Sequence, residues 1–433
     1  MTLREHLKKH VTLATPVVVG QLGHIMVSVA DTAMVGRIGV IPLAGATFAG
    51  TIYHVMLLFG IGVSYAITPL VAASDPKDEE KHVHYLQNAF FLNLMLGILF
   101  YLLMLVSLPL LPFMGQEKQV VAAAGPFLLI VGSSMIPLMV FQTFRQYAEG
   151  LSNTLLPMVV SIIANVLNIA LNYVLIFGKW GAPEMGLNGA GYATLISRVV
   201  MAAMIWLAIK NVSFKVKINF QTIRRMIRLG IPSGLQYVFE VGAFAISTIM
   251  MGWIGAEAIA AHQIALNLSA ISYMAATGIA AASTIRVGNQ LGAQDLHNLR
   301  LAGWTGVGLV TAFMTSTAIV FLLFRFQLAG LYIREAYVQS LAASLLIIAG
   351  AFQISDGVQA VGLGMLRGLT DVKVPTLVTF VAYWLIAIPL GYVLAFIVGW
   401  GAQGIWIALL IGLSLAAIMH MIRFSGKIRK ISF

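Results

Sequence analysis

Three carboxylate side chains lie within long apolar stretches of this 433-residue sequence: Asp31, Glu240 and Asp356. A charge inside hydrocarbon costs about 2.5–3.5 kcal/mol on insertion scales, so such a residue is usually retained for a function. Burial disfavours the charged form, so a buried carboxylate can carry a proton. The ionised form can instead hold Na⁺ if other oxygen atoms surround it. Glu240 and Asp356 could form such a site together if their helices face each other.

A second polar group is predicted around Asp31. Asn168 and Asn172 are four residues apart and therefore share one helix face, and Asn165 and Thr194 are further candidates. Amide side chains in hydrocarbon need hydrogen-bond partners, and Asp31 is the partner that we expect. The alternatives are polar contacts that only join helices and, for Asp31, a position at the membrane interface.

The composition indicates what kind of protein must hold these side chains. Hydrophobic residues make up 60% of the chain and charged residues only 9%, whereas a soluble domain carries about 25% charged residues. This balance excludes an ordinary soluble globule and a disordered chain. The net charge is +11, but the fraction of charged residues is far lower than in a protein that binds nucleic acid. We therefore expect an all-α polytopic membrane protein with no nucleic-acid partner.

Twelve apolar stretches are each long enough to cross a bilayer, which takes about 20 helical residues. The predicted spans are 13–34, 45–73, 86–107, 122–143, 156–177, 188–209, 230–252, 258–285, 302–324, 338–364, 376–398 and 404–422. An even number of spans puts both termini on one side of the membrane. Most of the 26 Lys and Arg residues fall on the segments that share that side. The positive-inside rule therefore predicts cytoplasmic termini.

The sequence also repeats itself. After a shift of 216 residues, residues 11–71 align without a gap to residues 227–287, and Gly150 and Gly368 mark a later match. Shared Pro and Gly positions make a chance match between apolar segments a poor explanation. The chain is therefore predicted to be a tandem of two similar units.

This repeat predicts two six-helix lobes, residues 1–209 and 229–433, joined by a basic linker, residues 210–228. Because each lobe has an even number of spans, the pseudo-two-fold axis should run along the membrane normal, an arrangement that suits alternating access. Pro16 and Pro232 occupy equivalent positions in the two lobes. They either begin the first and seventh helices or act as hinges, because proline removes a backbone hydrogen bond.

Several other chemistries find no support in the sequence. No GxxxxGK[ST] motif is present, so an ion gradient must drive any pumping. The chain has no Cys, and no nucleophile–base pair stands out. We therefore expect neither an enzyme nor a bound cofactor. Arg198 lies within the sixth span, where it faces a carboxylate, a carbonyl group or water, or reaches the membrane surface.

Several segments form a recognisable set. They are Val29–Gly36, Gly230–Gly234 followed by Glu240, Asn168–Glu184, Leu366–Asp371 and Tyr383–Tyr392. Together they resemble the multidrug and toxic compound extrusion (MATE) family and, in the last three cases, its NorM-like branch. The resemblance runs from about residue 10 to the C-terminus.

The resemblance implies a secondary active transporter of the bacterial cytoplasmic (inner) membrane. Such a protein exports cationic, amphipathic drugs or dyes by antiport against inward Na⁺ or H⁺, as a monomer in the lipid bilayer. Glu240 and Asp356 would form a cation site in the C-terminal lobe and could bind Na⁺. Tyr273 matches a position that contributes to substrate binding in some members, and it would do so with the same two carboxylates.

For the N-terminal lobe, the resemblance implies a cation cluster of Asp31, Asn168, Asn172 and Thr194. One position departs from the pattern. Some NorM-like members carry Tyr one helical turn before the tenth-helix Asp, and this chain has Phe352 there. The chain therefore lacks that phenol oxygen.

The alternative function is a flippase for lipid-linked precursors, which has a related two-lobe plan. A flippase of this kind needs a cationic central cavity for a pyrophosphate group. Arg198 is the one clear intramembrane cation in the sequence, so the efflux transporter is the favoured prediction.

Overall fold

The computed structural model describes residues 1–75, 77–209 and 218–431. Within these ranges, twelve helical segments are long and apolar enough to cross a membrane. They are α1 (Leu3–Gly36), α2 (Val40–Ala72), α3 (Glu79–Met114), α4 (Lys118–Gly150), α5 (Leu155–Phe177), α6 (Gly186–Ala208), α7 (Phe220–Ile254), α8 (Ala256–Gly292), α9 (Leu296–Gly330), α10 (Ala336–Gly368), α11 (Lys373–Ile397) and α12 (Gly401–Arg429). The predicted all-α class with twelve membrane helices is confirmed.

The main correction to the predicted spans concerns α1 and α7. Helix α1 begins at Leu3 rather than at residue 13, and α7 begins at Phe220 rather than at residue 230. Pro16 and Pro232 therefore lie inside continuous helices, and the helix-start interpretation of these prolines is wrong. The first turns of both helices are polar and basic, so a search for apolar residues does not detect them.

The chain packs into two compact units. The N-unit is Val19–Gly234, and the C-unit combines Met1–Val18 with Leu235–Phe433. The first part of α1 therefore packs within the C-unit, and the first part of α7 packs within the N-unit. The predicted lobes have different boundaries and stay a prediction, and residues 210–217 of the predicted linker lie outside the described ranges.

Two glycines at equivalent positions of the repeat explain why the helix ends are exchanged. In the N-unit, a Cβ atom on Gly62 would lie 2.6 Å from the Cα atom of Gly234, so α2 and α7 touch along their backbones. In the C-unit, a Cβ atom on Gly278 would overlap the side chain of Val18 and lie 3.0 Å from the carbonyl oxygen of Ala14. Small residues permit such close crossings of membrane helices.

The predicted match of Gly150 with Gly368 also has a structural counterpart. A Cβ atom on Gly150 would lie 2.7 Å from the Cβ atom of Val71, and one on Gly368 would lie 2.9 Å from the Cβ atom of Val287. Within each unit, the end of one helix therefore packs against the same turn of a neighbouring helix. The repeat is thus a repeat of packing as well as of sequence.

Helix α11 departs from regular geometry. The stretches Val381–Ala387 and Val393–Ile397 are π-helical, which changes the direction of the side chains relative to an ordinary α-helix. Such turns are rare and occur frequently at functional sites. The first stretch carries Tyr383, whose side chain is fully buried in the C-unit.

Candidate functional site

The predicted polar cluster of the N-unit is centred on Asn172. Helix α5 buries both Asn168 and Asn172, and their spacing of four residues puts them on one helix face. The Nδ2 atom of Asn172 donates a hydrogen bond to Oδ1 of Asp31 and another, of 3.0 Å, to Oδ1 of Asn168. The structure therefore brings these three predicted residues together.

Two amide atoms, one in this cluster and one on the same helix, have no hydrogen-bond partner. Among the described residues, Oδ1 of Asn172 and Nδ2 of Asn165 are buried without a hydrogen-bond partner. A buried amide oxygen without a donor is a potential ligand for a cation or a proton carrier, because such groups normally find a partner. Oδ1 of Asn172 belongs to the same amide group as the Nδ2 atom that bonds Asp31.

Thr194 is not joined to this cluster by a hydrogen bond. Its hydroxyl group donates to the carbonyl oxygen of Ala190 within α6, at 3.0 Å. In the part of the chain that the structure describes, no hydrogen bond links Thr194 to Asp31. The hydroxyl oxygen keeps its lone pairs, so a ligand role for Thr194 stays a prediction.

Arg198 lies one turn beyond Thr194 on α6 and is held by two hydroxyl groups. Its Nη1 atom donates hydrogen bonds to Oη of Tyr53 and, at 2.6 Å, to Oγ of Ser134. The guanidinium carbon also lies 5.2 Å from the centroid of the Tyr53 ring, within the range of a cation–π contact. The sequence did not identify Tyr53 or Ser134, because no local spacing links them to Arg198.

In the C-unit, Glu240 is held by a predicted partner. Glu240 on α7 is 7% exposed, and its Oε1 atom accepts a hydrogen bond of 3.1 Å from the phenol hydroxyl of Tyr273 on α8. The structure thus brings two of the predicted substrate-binding residues together. A hydrogen bond from a phenol stabilises the ionised carboxylate and fixes its orientation.

The second carboxylate of the C-unit lies on a helix that contacts the helix of the first. Asp356 on α10 is 6% exposed, and the rings of Phe244 and Phe352, each four residues from one of the two carboxylates, have centroids 6.1 Å apart. Two like charges in a buried site repel each other, so a proton, Na⁺ or an organic cation bound there would relieve the repulsion. Oxygen ligands of this kind suit a hard cation.

Sequence reasoning missed two side chains near these carboxylates. The side chain of Tyr383 is fully buried, and its hydroxyl group donates to Oε1 of Gln359 at 3.4 Å. Within the described ranges, Nε2 of the buried Gln359 has no partner. The spacing of Gln359 three residues after Asp356 is a signal that could have found it.

Phe352 occupies the position where a phenol oxygen is missing. Its ring is 2% exposed and packs against the rings of Phe244 and Trp406, with centroid distances of 6.1 and 5.4 Å. Phe244 also contacts the ring of Tyr383 at 6.2 Å. Tyr383 on α11 therefore belongs to the same aromatic cluster, and its hydroxyl group bonds Gln359, which lies one turn after Asp356.

The two prolines lie close to the points where α1 and α7 pass from one unit to the other. In α1 the boundary between the units follows Val18, and in α7 it follows Gly234. Pro16 and Pro232 each lie two residues before the last residue ahead of their boundary. This position fits a hinge, because a proline inside a helix lacks one backbone hydrogen bond. The hinge role of both prolines stays a prediction.

Comparison with known proteins places the chain in one family. The MatE family matches residues 16–174 and 232–393. The chain is 33% identical over 437 residues to the multidrug resistance protein NorM of Photobacterium profundum, covering 97% of this chain and 95% of that protein. It is 34% identical over 426 residues to the multidrug resistance protein MdtK of Yersinia pseudotuberculosis, covering 95% and 93%.

Solved structures show the same fold. A crystal structure of MATE in a bent conformation matches with a TM-score of 0.90 at 20% identity, covering 99% of this chain and 98% of that one. The eukaryotic MATE transporter AtDTX14 matches with a TM-score of 0.86 at 20% identity, with the same coverage. At these identities the likeness shows the fold alone.

Proposed function

Because this chain belongs to the multidrug efflux MATE family and is NorM-like over nearly its whole length, we propose that it exports cationic, amphipathic organic compounds by antiport against inward Na⁺ or H⁺. The observation that carries this proposal is the pair of buried carboxylates in the C-unit, Glu240 and Asp356, on two helices that contact each other one turn away. A membrane protein retains such charges when they bind or carry something.

The carboxylate pair supplies a simple coupling rule. With both groups ionised, the site holds two negative charges and one monovalent cation neutralises only one of them. An inward-moving Na⁺ or H⁺ and an outward-moving organic cation would therefore compete for the same charges, so that binding of one favours release of the other. Tyr273 and Tyr383 would offer aromatic faces to the organic cation. Alternating access would expose this site to one side of the membrane at a time.

The remaining features of the proposal follow from the charge distribution and the relatives. Most basic residues lie on the side of the termini, which supports cytoplasmic termini. The NorM and MdtK relatives are bacterial, which supports the cytoplasmic (inner) membrane as the location. The protein would act as a monomer within the lipid bilayer, with organic cationic drugs or dyes as substrates and with no cofactor other than the coupling ion.

The test is drug efflux from proteoliposomes with a Na⁺ gradient and a pH gradient imposed separately. Wild-type protein should export a cationic dye when at least one inward gradient is present. Glu240→Gln and Asp356→Asn should each reduce gradient-driven export to near the rate of protein-free vesicles. Glu257→Gln is the matched control, because Glu257 is exposed at the start of α8 and should leave export unchanged. Export that ignores both gradients would overturn the proposal.

A further inference from the structure

Helix α11 donates hydrogen bonds to both helices that carry the carboxylates of the C-unit. The indole Nε1 atom of Trp384 donates to the carbonyl oxygen of Phe239 on α7, at 2.9 Å. The hydroxyl group of the preceding residue, Tyr383, donates to Oε1 of Gln359 on α10, at 3.4 Å. Two consecutive residues of α11 therefore bond two different helices.

The two acceptors of these bonds lie beside the carboxylates. Phe239 directly precedes Glu240, and Gln359 follows Asp356 by three residues. Because one turn of an α-helix takes 3.6 residues, each bond joins α11 to the helical turn that carries a carboxylate. The position of α11 therefore bears on the positions of both carboxylates.

The indole ring of Trp384 lies directly against α7. A Cβ atom on Gly242 would lie 3.0 Å from Cζ2 of Trp384, so a glycine at this position leaves room for the ring. The rings of Phe239 on α7 and Phe380 on α11 both have their centroids 6.4 Å from that of Trp384. An indole N–H group away from water needs an acceptor. Here a backbone carbonyl supplies it, so the bond fixes the indole to the helix itself.

The irregular geometry of α11 has a local cause. Tyr383 and Trp384 both lie in the π-helical stretch Val381–Ala387, and the N–H group of Ile388 bonds the carbonyl oxygen of Tyr383, five residues back. Pro389 follows and has no N–H group with which to continue a regular α-helix. Adjacent helical residues do not share a face, so Tyr383 and Trp384 can bond α10 and α7 at the same time.

The three helices form a closed set of contacts. Helices α7 and α10 meet at the rings of Phe244 and Phe352, whose centroids are 6.1 Å apart. The ring of Phe244 also contacts that of Tyr383, at 6.2 Å. With α11 bonded to both other helices, a change in the separation of α7 and α10 has to break or bend one of these contacts.

We propose that Trp384 is a positioning residue. Its bond to α7, together with the bond of Tyr383 to α10, makes α11 a brace that sets the separation of Glu240 and Asp356. Trp384 acts through Glu240 and thereby on the affinity of the site for an organic cation. The brace rests on the contacts alone, whereas its effect on cation binding rests on the proposed function.

The bond of Trp384 is tested by hydrogen exchange of the tryptophan indole groups in purified protein without a cation. The signal of Trp384, identified as the one that Trp384→Phe removes, should exchange far more slowly than that of Trp180, which is 83% exposed. Gly242→Ala places a methyl group at the contact of 3.0 Å and should speed exchange at Trp384 several-fold. Gly391→Ala is the matched control on α11, because its Cβ atom would meet neighbours only at 3.5 Å, and exchange should not change. Equal exchange at Trp384 in the wild type and in Gly242→Ala would overturn the brace.

The effect on cation binding is tested with tetraphenylphosphonium and purified protein in detergent, with no ion gradient. Trp384→Phe should weaken binding by about 3- to 20-fold, the range that hydrogen bonds inside membranes span. Gly242→Ala should weaken it by a similar factor. Because both changes break the same bond, the double variant should bind no more weakly than the weaker single variant. Gly391→Ala should bind as the wild type does.

A second cycle separates positioning from a general effect on the fold. In protein that carries Glu240→Gln, adding Trp384→Phe should not weaken binding further, because the carboxylate that Trp384 positions is gone. Losses that simply add in this cycle would overturn the positioning role, and so would a variant that melts earlier but binds with wild-type affinity. The cycle of Trp384 with Gly242 decides alone if Glu240→Gln binds too weakly to measure.

The two sets of measurements also separate the brace from the proposed function. If the wild type bound no organic cation, the proposed function would fail and the positioning role with it. The exchange of the Trp384 indole would still decide on the brace. If the wild type bound the cation and Trp384→Phe left the affinity unchanged, the positioning role alone would be overturned.

Discussion

Removing the phenol hydroxyl of Tyr273 should weaken the carboxylate site of the C-unit while leaving the surrounding helices in place. The substitution Tyr273→Phe deletes the hydrogen bond of 3.1 Å to Oε1 of Glu240 and keeps the ring. Hydrogen bonds to charged groups contribute about 1.5–3 kcal/mol in soluble proteins. Those inside membranes average about 0.6 and reach about 1.7 kcal/mol. For this buried pair we therefore expect a loss of about 1–2 kcal/mol, which is roughly a 5- to 30-fold change in an equilibrium constant.

The assay is the initial rate of dye export from proteoliposomes at a saturating ion gradient. The melting temperature of the same protein preparations in detergent shows whether the variant is folded. The export rate at low dye concentration should fall by a factor in that range, because Glu240 loses the donor that orients it. Tyr332→Phe is the matched control, because Tyr332 is 46% exposed and should behave as the wild type. If Tyr273→Phe exported dye at the wild-type rate, the hydrogen bond would have no role in transport and the site assignment would be wrong at this residue.

Three further predictions concern stability. Asp371→Asn removes the charge that accepts two hydrogen bonds, of 2.8 and 3.1 Å, from Arg423. Because Arg423 is partly exposed, the free energy of unfolding should fall by about 0.5–1 kcal/mol, and by less at high salt. The melting temperature measures this change. Gly368→Val places a side chain 2.8 Å from a backbone oxygen of α8 and should destabilise by about 1–3 kcal/mol, whereas Gly426→Val, with open space around it, should not. Hydrogen bonds from the first turn of α9 hold the pKa of Asp295 below its usual value, so its stabilising effect is present at neutral pH and is lost as the pH falls through that lowered pKa. Below about pH 4, the melting temperature of the Asp295→Asn variant should therefore depend less on pH than that of the wild type. The same pH dependence in both proteins would contradict the capping role.

The architecture could be predicted from the sequence because hydrocarbon thickness dictates helix length. Twelve apolar stretches gave the number of spans, and the shift of 216 residues identified glycines that pack alike in both units, such as Gly62 and Gly278. The first turns of α1 and α7 were missed because they are polar. The exchange of helix ends between units was also missed, because it depends on which helices cross at those glycines, and a linear pattern does not show a crossing.

The candidate site was predictable where partners share a helix face or carry an unusual charge. The spacing of Asn168 and Asn172 and the isolated charge of Asp31 were enough to predict their contact. The contact between Tyr383 and Gln359 was not predicted, because the two residues lie on different helices and no local spacing joins them. The anchoring of Arg198 by Tyr53 was missed because the two residues lie 145 positions apart.

The most direct test of the central claim is ion movement driven by the drug itself. Proteoliposomes with equal Na⁺ concentration and pH on both sides would receive a gradient of a cationic drug, and the flux of Na⁺ and of protons would be recorded separately. An antiporter should move one of these ions against the direction of the drug, and a protein carrying Glu240→Gln and Asp356→Asn should move neither. Drug movement without any opposing ion flux in the wild-type protein would contradict the account.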